Sequence, residues 1–148
     1  MEPKFQVQLK IRKPVAEVFA AIVQPEKLSG YFVQNSSGPL AEGKTVKWKF
    51  AEVDRSFDVV VKHVIENERI VFEWPAGEGS YDTRVEMAFK PLEDGTLVQI
   101  SEAGWRPTEA GFKESYGNAS GWMHMMCCLK AYLEHGINLR AGGTGHAC

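Results

Sequence analysis

His63 and Glu102 are the side chains best placed to do acid/base chemistry. His63 shares strand parity with Phe57, Val59 and Val61, and Glu102 shares it with Val98 and Ile100. Both side chains are therefore expected to point toward the interior. A carboxylate and an imidazole a few ångströms apart could move a proton between them; apart, each would serve as a buried polar anchor or rim group of an apolar site. His124 and Cys128 stand at i and i+4 on a helical pattern, with His135 two turns further along. Three tetrahedral ligands cannot converge from one straight helix, and no second ligand cluster exists, since His146 and Cys148 sit in a Gly-rich tail. No metal is expected. Gly117-Asn118-Ala119-Ser120-Gly121 has the wrong spacing for a nucleophile elbow, and Gly142-Gly143-Thr144-Gly145 follows no strand and opens no helix. No phosphate site or cofactor is expected either.

The apolar residues that must position these groups are concentrated in the last third of the chain. Gly121-Trp122-Met123-His124-Met125-Met126-Cys127-Cys128-Leu129-Lys130-Ala131-Tyr132-Leu133 is apolar almost all the way round a helix. Such a helix has to be covered. Trp122, Met126, Leu129 and Leu133 form one stripe at i, i+4, i+7 and i+11, which packs as core or walls a cavity, with the thioethers adapting to a bound shape. Trp48, Phe57, Trp74 and Phe89 are the facing wall candidates from the strands, with His63 and Glu102 as polar anchors.

Those strands are legible as period-two segments. Phe5, Val7, Leu9 and Ile11 alternate with polar residues. Pro14 then opens a helical pattern with Val15, Val18, Phe19 and Ile22 on one face, and Pro25 ends it. Asn35-Ser36-Ser37-Gly38-Pro39 and Glu42-Gly43 are turn chemistry. Further strands follow near Thr45 to Phe50, Ser56 to Ile65 and Ile70 to Trp74, with a turn at Glu66-Asn67-Glu68. After Pro75-Ala76-Gly77-Glu78-Gly79 come strands near Thr83 to Phe89 and Thr96 to Glu102, joined at Glu93-Asp94-Gly95. Gly104 to Tyr116, with Pro107 and Gly111, reads as a loop or a short broken helix. Asn118 is then the expected N-cap of the long helix and Gly136 its C-terminal residue. The class is α+β: a curved antiparallel sheet of about six strands with the helices on one side.

A chain of 148 residues fits one domain, expected over 1–141 with a flexible tail over 142–148. Hydrophobic residues at 44% and charged residues at 24% argue against a disordered chain, and a net charge of -2 gives no footprint for nucleic acid. Lys44, Lys47 and Lys49 read as the solvated face of one strand. No apolar run approaches membrane-spanning length, no secretory signal precedes the first strand, and the cysteines make no disulfide framework. A cytoplasmic protein with no membrane partner is expected.

Several short pieces occur in a telling order: Pro14-Val15-Ala16-Glu17-Val18-Phe19 with Pro25-Glu26; Gly38-Pro39-Leu40 with Gly43 before Val46-Lys47-Trp48; Val64-Ile65-Glu66 with Arg69-Ile70-Val71-Phe72-Glu73-Trp74; Asp94-Gly95-Thr96 with Val98, Ile100, Glu102 and Gly104; and Gly121-Trp122 with Met126, Leu129, Leu133 and Glu134. Together, over roughly residues 5 to 140, they resemble the START-like, helix-grip superfamily called SRPBCC. Within it they resemble the family similar to the C-terminal domain of the activator of the heat-shock-protein-90 ATPase. The resemblance implies a curved sheet gripping the C-terminal helix, with a pocket between them. It implies no single reaction, since such folds serve as ligand carriers, cyclases and cochaperone modules. The leading expectation is a binding module for a small apolar molecule; a cochaperone-like module acting on a heat-shock ATPase and a cyclase-type enzyme are the alternatives. The matching region begins at about Phe5, so the separate N-terminal domain of the chaperone activators is not expected, nor is ATPase stimulation.

Overall fold

Alternating apolar residues build one sheet, and an amphipathic helix covers it. The computed structural model describes residues 1–77 and 79–141. The tail expected over 142–148, with His146 and Cys148, lies outside the described residues. In chain order the elements are β1 (Lys4–Ile11), α1 (Val15–Val23), α2 (Pro25–Leu28), β2 (Asn35–Ser36), β3 (Thr45–Lys49), β4 (Ser56–Ile65), β5 (Arg69–Pro75), β6 (Asp82–Leu92), β7 (Gly95–Ala103) and α3 (Glu109–His135). All neighbours in the sheet are antiparallel, in the order β1-β7-β6-β5-β4-β3-β2. This is the expected α+β helix-grip architecture with one strand more than foreseen. The extra strand, β2, falls in a stretch rich in turn residues, and the backbone there bonds β3 through Gln34 N–H to Lys49 O and Ser37 N–H to Lys47 O.

Register places one row of side chains across the concave face: Val61 opposite Phe72, Phe72 opposite Val85, Val85 opposite Glu102, and Glu102 opposite Phe5. A neighbouring pair on the same face is Trp74 and Thr83. β4 carries a bulge between Val61 and His63, so one extra residue enters the strand there. Beyond it the parity is reversed, and His63 lies opposite Val71 on the outer face. Gly95 sits where β1 runs closest to the β6–β7 turn, and a Cβ there would run into the carbonyl oxygen of Ile11. Asn67 takes the left-handed conformation (φ 63°) in the β4–β5 turn, which asparagine tolerates better than most residues.

α3 is 27 residues long, about 40 Å at the usual rise. It starts at Glu109, not after Asn118. Thr108 is the N-cap, its hydroxyl accepting from Gly111 N–H at 3.1 Å, and Gly136 ends the helix at φ 68°. The first turns were hidden in the sequence because their inward residues are small or polar: Gly111, Ser115 and Asn118 extend the stripe of Trp122, Met126 and Leu129 backward at helical spacing. Gly111 is needed there, since a Cβ would meet the Arg106 carbonyl oxygen.

The other end of α3 is fixed to β1 by Glu134. Its carboxylate accepts from Arg12 N–H at 2.9 Å and from the Arg12 guanidinium at 2.9 and 3.1 Å. It also accepts from Lys130 Nζ at 2.6 Å, while Lys130 reaches the Lys10 carbonyl at 2.8 Å. Burial alone would raise the carboxyl's pKa; the Arg12 backbone N–H and the Lys130 and Arg12 side chains outweigh it and hold the value at about 2. Among the described residues no helix is long and apolar enough to cross a membrane.

Candidate functional site

Glu102, at the end of β7, is 1% exposed and is the centre of the most distinctive polar arrangement in the core. Trp122 Nε1 donates to its Oε1 at 2.8 Å. Trp74 Nε1 and Thr83 Oγ1 donate to its Oε2 at 3.0 and 2.6 Å. Asn118 Nδ2 is shared between both oxygens at 3.2 Å. Among the described residues no lysine, arginine or histidine pairs with this carboxylate. Indole N–H groups only donate, so both carboxyl oxygens act as acceptors in this shell.

Four elements supply the shell. β7 turns Glu102 inward by parity, β5 and β6 present Trp74 and Thr83 on the same face, and α3 lays Asn118 and Trp122 over them one turn apart. Around it the rings form a continuous aromatic cluster. Trp74 and Trp122 have centroids 5.4 Å apart, tilted by 35°, and Phe32 lies 5.7 Å from Trp122. Trp48 contacts Phe32, Phe72 and Trp74 at 5.6, 5.4 and 6.0 Å, each ring edge to face. Trp48 Nε1 is buried without a hydrogen-bond partner. A gap of ≈ 10 Å³, about the size of one water, remains between Phe32, Trp74, Asn118, Gly121 and Trp122. Trp74 and Asn118 are half-buried and make its outer rim.

The sequence-derived wall residues separate into groups. Trp48, Trp74, Glu102 and Trp122 meet in this cluster, and Phe57 joins its margin, 6.4 Å from Trp74. Met126 is fully buried in the same core. Phe89 is buried elsewhere, edge-on to Phe19 of α1 at 5.3 Å. His63 does not reach the interior: the β4 bulge turns it outward, its side chain is 57% exposed, and it approaches Glu42 at 3.9 Å. The His63–Glu102 acid/base pair is therefore not assembled. Three contributors were missed. Thr83 shares parity with Val85, Met87 and Phe89, and Asn118 stands four residues before Trp122, so both carried a spacing signal. Phe32 comes from an irregular segment and carried none.

His124 Nε2 and Cys128 Sγ lie 3.5 Å apart on one turn of α3. Among the described residues no group of His, Cys, Asp or Glu is arranged to hold a metal ion. A second depression, of ≈ 240 Å³, is open to solvent between Tyr31, Phe32, Glu52 and Arg140. Arg140 pairs with Glu52 there and lies over the Phe32 and Phe50 rings at 5.7 and 5.5 Å.

The fold recurs among solved structures. A crystal structure of protein SSP2350 from Staphylococcus saprophyticus is 31% identical, with a TM-score of 0.80 over 93% of this chain and 96% of that one. DynU16, of the dynemicin biosynthetic locus, is 24% identical with a TM-score of 0.82; the match covers 93% of this chain but 49% of DynU16, so the chain spans about half of that protein. The solution structure of the Aha1 dimer from Colwellia psychrerythraea is 20% identical, with a TM-score of 0.75 over 90% of this chain and 97% of that one. No curated protein sequence matches the chain. The family described as Activator of Hsp90 ATPase homolog 1-like protein matches residues 12–134, from the end of β1 to the Glu134 anchor of α3. The chain belongs to that family, within the START-like superfamily of helix-grip folds.

Proposed function

We propose that this protein is a binding module for a small, mainly apolar molecule held between the sheet and α3, entering at the rim made by Trp74 and Asn118. The observation that carries this reading is the Glu102 carboxylate set into an aromatic wall. A core built for stability alone gains little from such a group, because apolar side chains of similar volume serve as well or better. Ligand sites, in contrast, combine apolar walls with a few fixed polar groups.

The ≈ 10 Å³ gap is too small for an organic molecule, so binding must displace rim side chains. Trp74 and Asn118 are the ones with solvent to move into. Trp48, Phe57, Trp122 and Met126 stay as walls or core behind them, Phe89 packs against α1 away from them, and Glu102 is the anchor. His63, on the outer face, has no part in the site. Binding is favoured over catalysis because Glu102 has no acid/base partner within its shell.

Native mass spectrometry of protein purified from its own cells tests the reading by looking for a retained small molecule. Titration with apolar dyes should give micromolar affinity, on the order of -8 kcal/mol, and Asn118→Phe, which blocks the rim, should weaken it at least tenfold. No retained molecule together with dye binding indifferent to Asn118→Phe would sink the proposal. The family description also raises a chaperone contact on the outer surface. Stimulation of a heat-shock ATPase that survives Asn118→Phe would favour it.

A further inference from the structure

The chemistry of the Glu102 shell narrows the class of molecule that fits. We propose that the ligand carries a protonated amine, which docks against Glu102 between the rings of Phe32, Trp74 and Trp122. This rests on the binding reading above and specifies the polar end of its ligand.

Charge is the first reason. Glu102 is buried, its partners are all neutral donors, and no cation of the described residues pairs with it. Neutral donors offset part of the cost of burying a carboxylate, and a counter-charge offsets more. The rings are the second reason. Cations are attracted to aromatic faces, most strongly to indole; Phe32, Trp74 and Trp122 line the gap, and three of its lining residues, Trp74, Asn118 and Trp122, are the ones that hold the carboxylate behind it. An anionic or purely apolar head gains nothing from this combination. An ammonium gains from both halves.

The third reason is that one contact is set to be replaced. Thr83, Trp122 and Trp74 make the shorter bonds, whereas the Asn118 amide spans both oxygens at 3.2 Å and stands half-buried at the rim. An ammonium N–H entering there takes over the position of the Asn118 amide, which turns out to water. The Trp122 indole and the threonine hydroxyl then hold the carboxylate in place while Trp74 shifts with the rim, so the carboxylate itself stays preorganised.

Three probes with one ring system test this by isothermal titration calorimetry near neutral pH: naphthylethylamine, naphthylethanol and naphthylacetate. The amine should bind about tenfold or more tightly than the alcohol, and the acetate most weakly. Glu102→Gln should abolish the difference between amine and alcohol while the alcohol's own affinity stays within about threefold. Asn118→Ala, which leaves the carboxylate and both indoles in place, should tighten the amine and keep its preference. Alcohol binding as tight as amine binding in the unaltered protein, or acetate binding most tightly, overturns the cation assignment and leaves the binding-module reading standing. If none of the three binds, both fall. The unaltered protein and Asn118→Ala decide the matter even if Glu102→Gln proves too unstable to titrate.

Discussion

Replacing Glu102 by glutamine changes one atom and reverses the logic of its surroundings. The carboxylate faces donors on both sides: Trp74 and Thr83 on Oε2, Trp122 on Oε1, and the Asn118 amide across both. A glutamine keeps one acceptor and turns a donor toward the other side. If its oxygen stays with Trp74 and Thr83, the two contacts on that side survive and its NH2 meets the Trp122 N–H. That indole is 2% exposed, so it cannot turn to water. One orphaned buried donor costs about 1–3 kcal/mol, and the remaining bonds lose their charge assistance, roughly 1 kcal/mol more. Against this, removing a buried charge returns part of its desolvation cost. We expect a net loss of about 2 kcal/mol, which for a domain of this size lowers Tm by roughly 4–8 °C. Urea unfolding followed by tryptophan fluorescence and far-UV circular dichroism measures it, with an unchanged m value showing that the folded state is retained. Trp122→Phe should cost about 1 kcal/mol less when combined with Glu102→Gln than in the unaltered protein, because the donor it removes is already orphaned in the double variant's parent. A Glu102→Gln protein as stable as the original, or more so, would refute the reasoning: desolvation would then outweigh the hydrogen bonds.

Three further outcomes follow from other parts of the molecule. Glu134, lowered from its ordinary 4.5 to about 2, stabilises the fold above pH 4.5 and loses that contribution as the pH falls toward 2; Glu134→Gln should flatten the fall of the urea midpoint across that window, and an unchanged slope would show the anchor to α3 to be energetically idle. Gly95→Ala drives a Cβ into the Ile11 carbonyl where β1 joins β7, and chemical denaturation should record a loss of about 1–3 kcal/mol; a loss below half of that would mean the strand edge yields freely. His63→Ala, on the outer face beyond the β4 bulge, should alter stability by less than about 0.5 kcal/mol and leave probe affinity unchanged, whereas weakened binding would return His63 to the site.

Local rules carried the sequence a long way because most of this fold is built from them. Two-residue alternation put Trp48, Trp74, Val85 and Glu102 on one face, and the stripe from Trp122 to Leu129 marked the covering helix, since both periods are properties of the backbone itself. Where the chain breaks a local rule, periodicity alone misplaces the residue. A single extra residue in β4 reversed the parity of His63, and nothing in Val61-Lys62-His63 announces a bulge. Pro107 and Gly111 make the stretch up to Tyr116 look like a loop or a short broken helix in the sequence, and Asn118 like the N-cap; the stretch from Glu109 is helical because the small and polar Gly111, Ser115 and Asn118 are what fit on the inward face there. Tertiary structure alone decided the rest. Parity turned Glu102 inward, but its partners come from β5, β6 and α3, up to 28 residues away in the chain, and their meeting depends on the register of the strands and the position of the helix. The gap beside this shell is likewise set by packed side chains from several elements together: Phe32, Trp74, Asn118, Gly121 and Trp122 leave ≈ 10 Å³ between them, about the size of a water molecule.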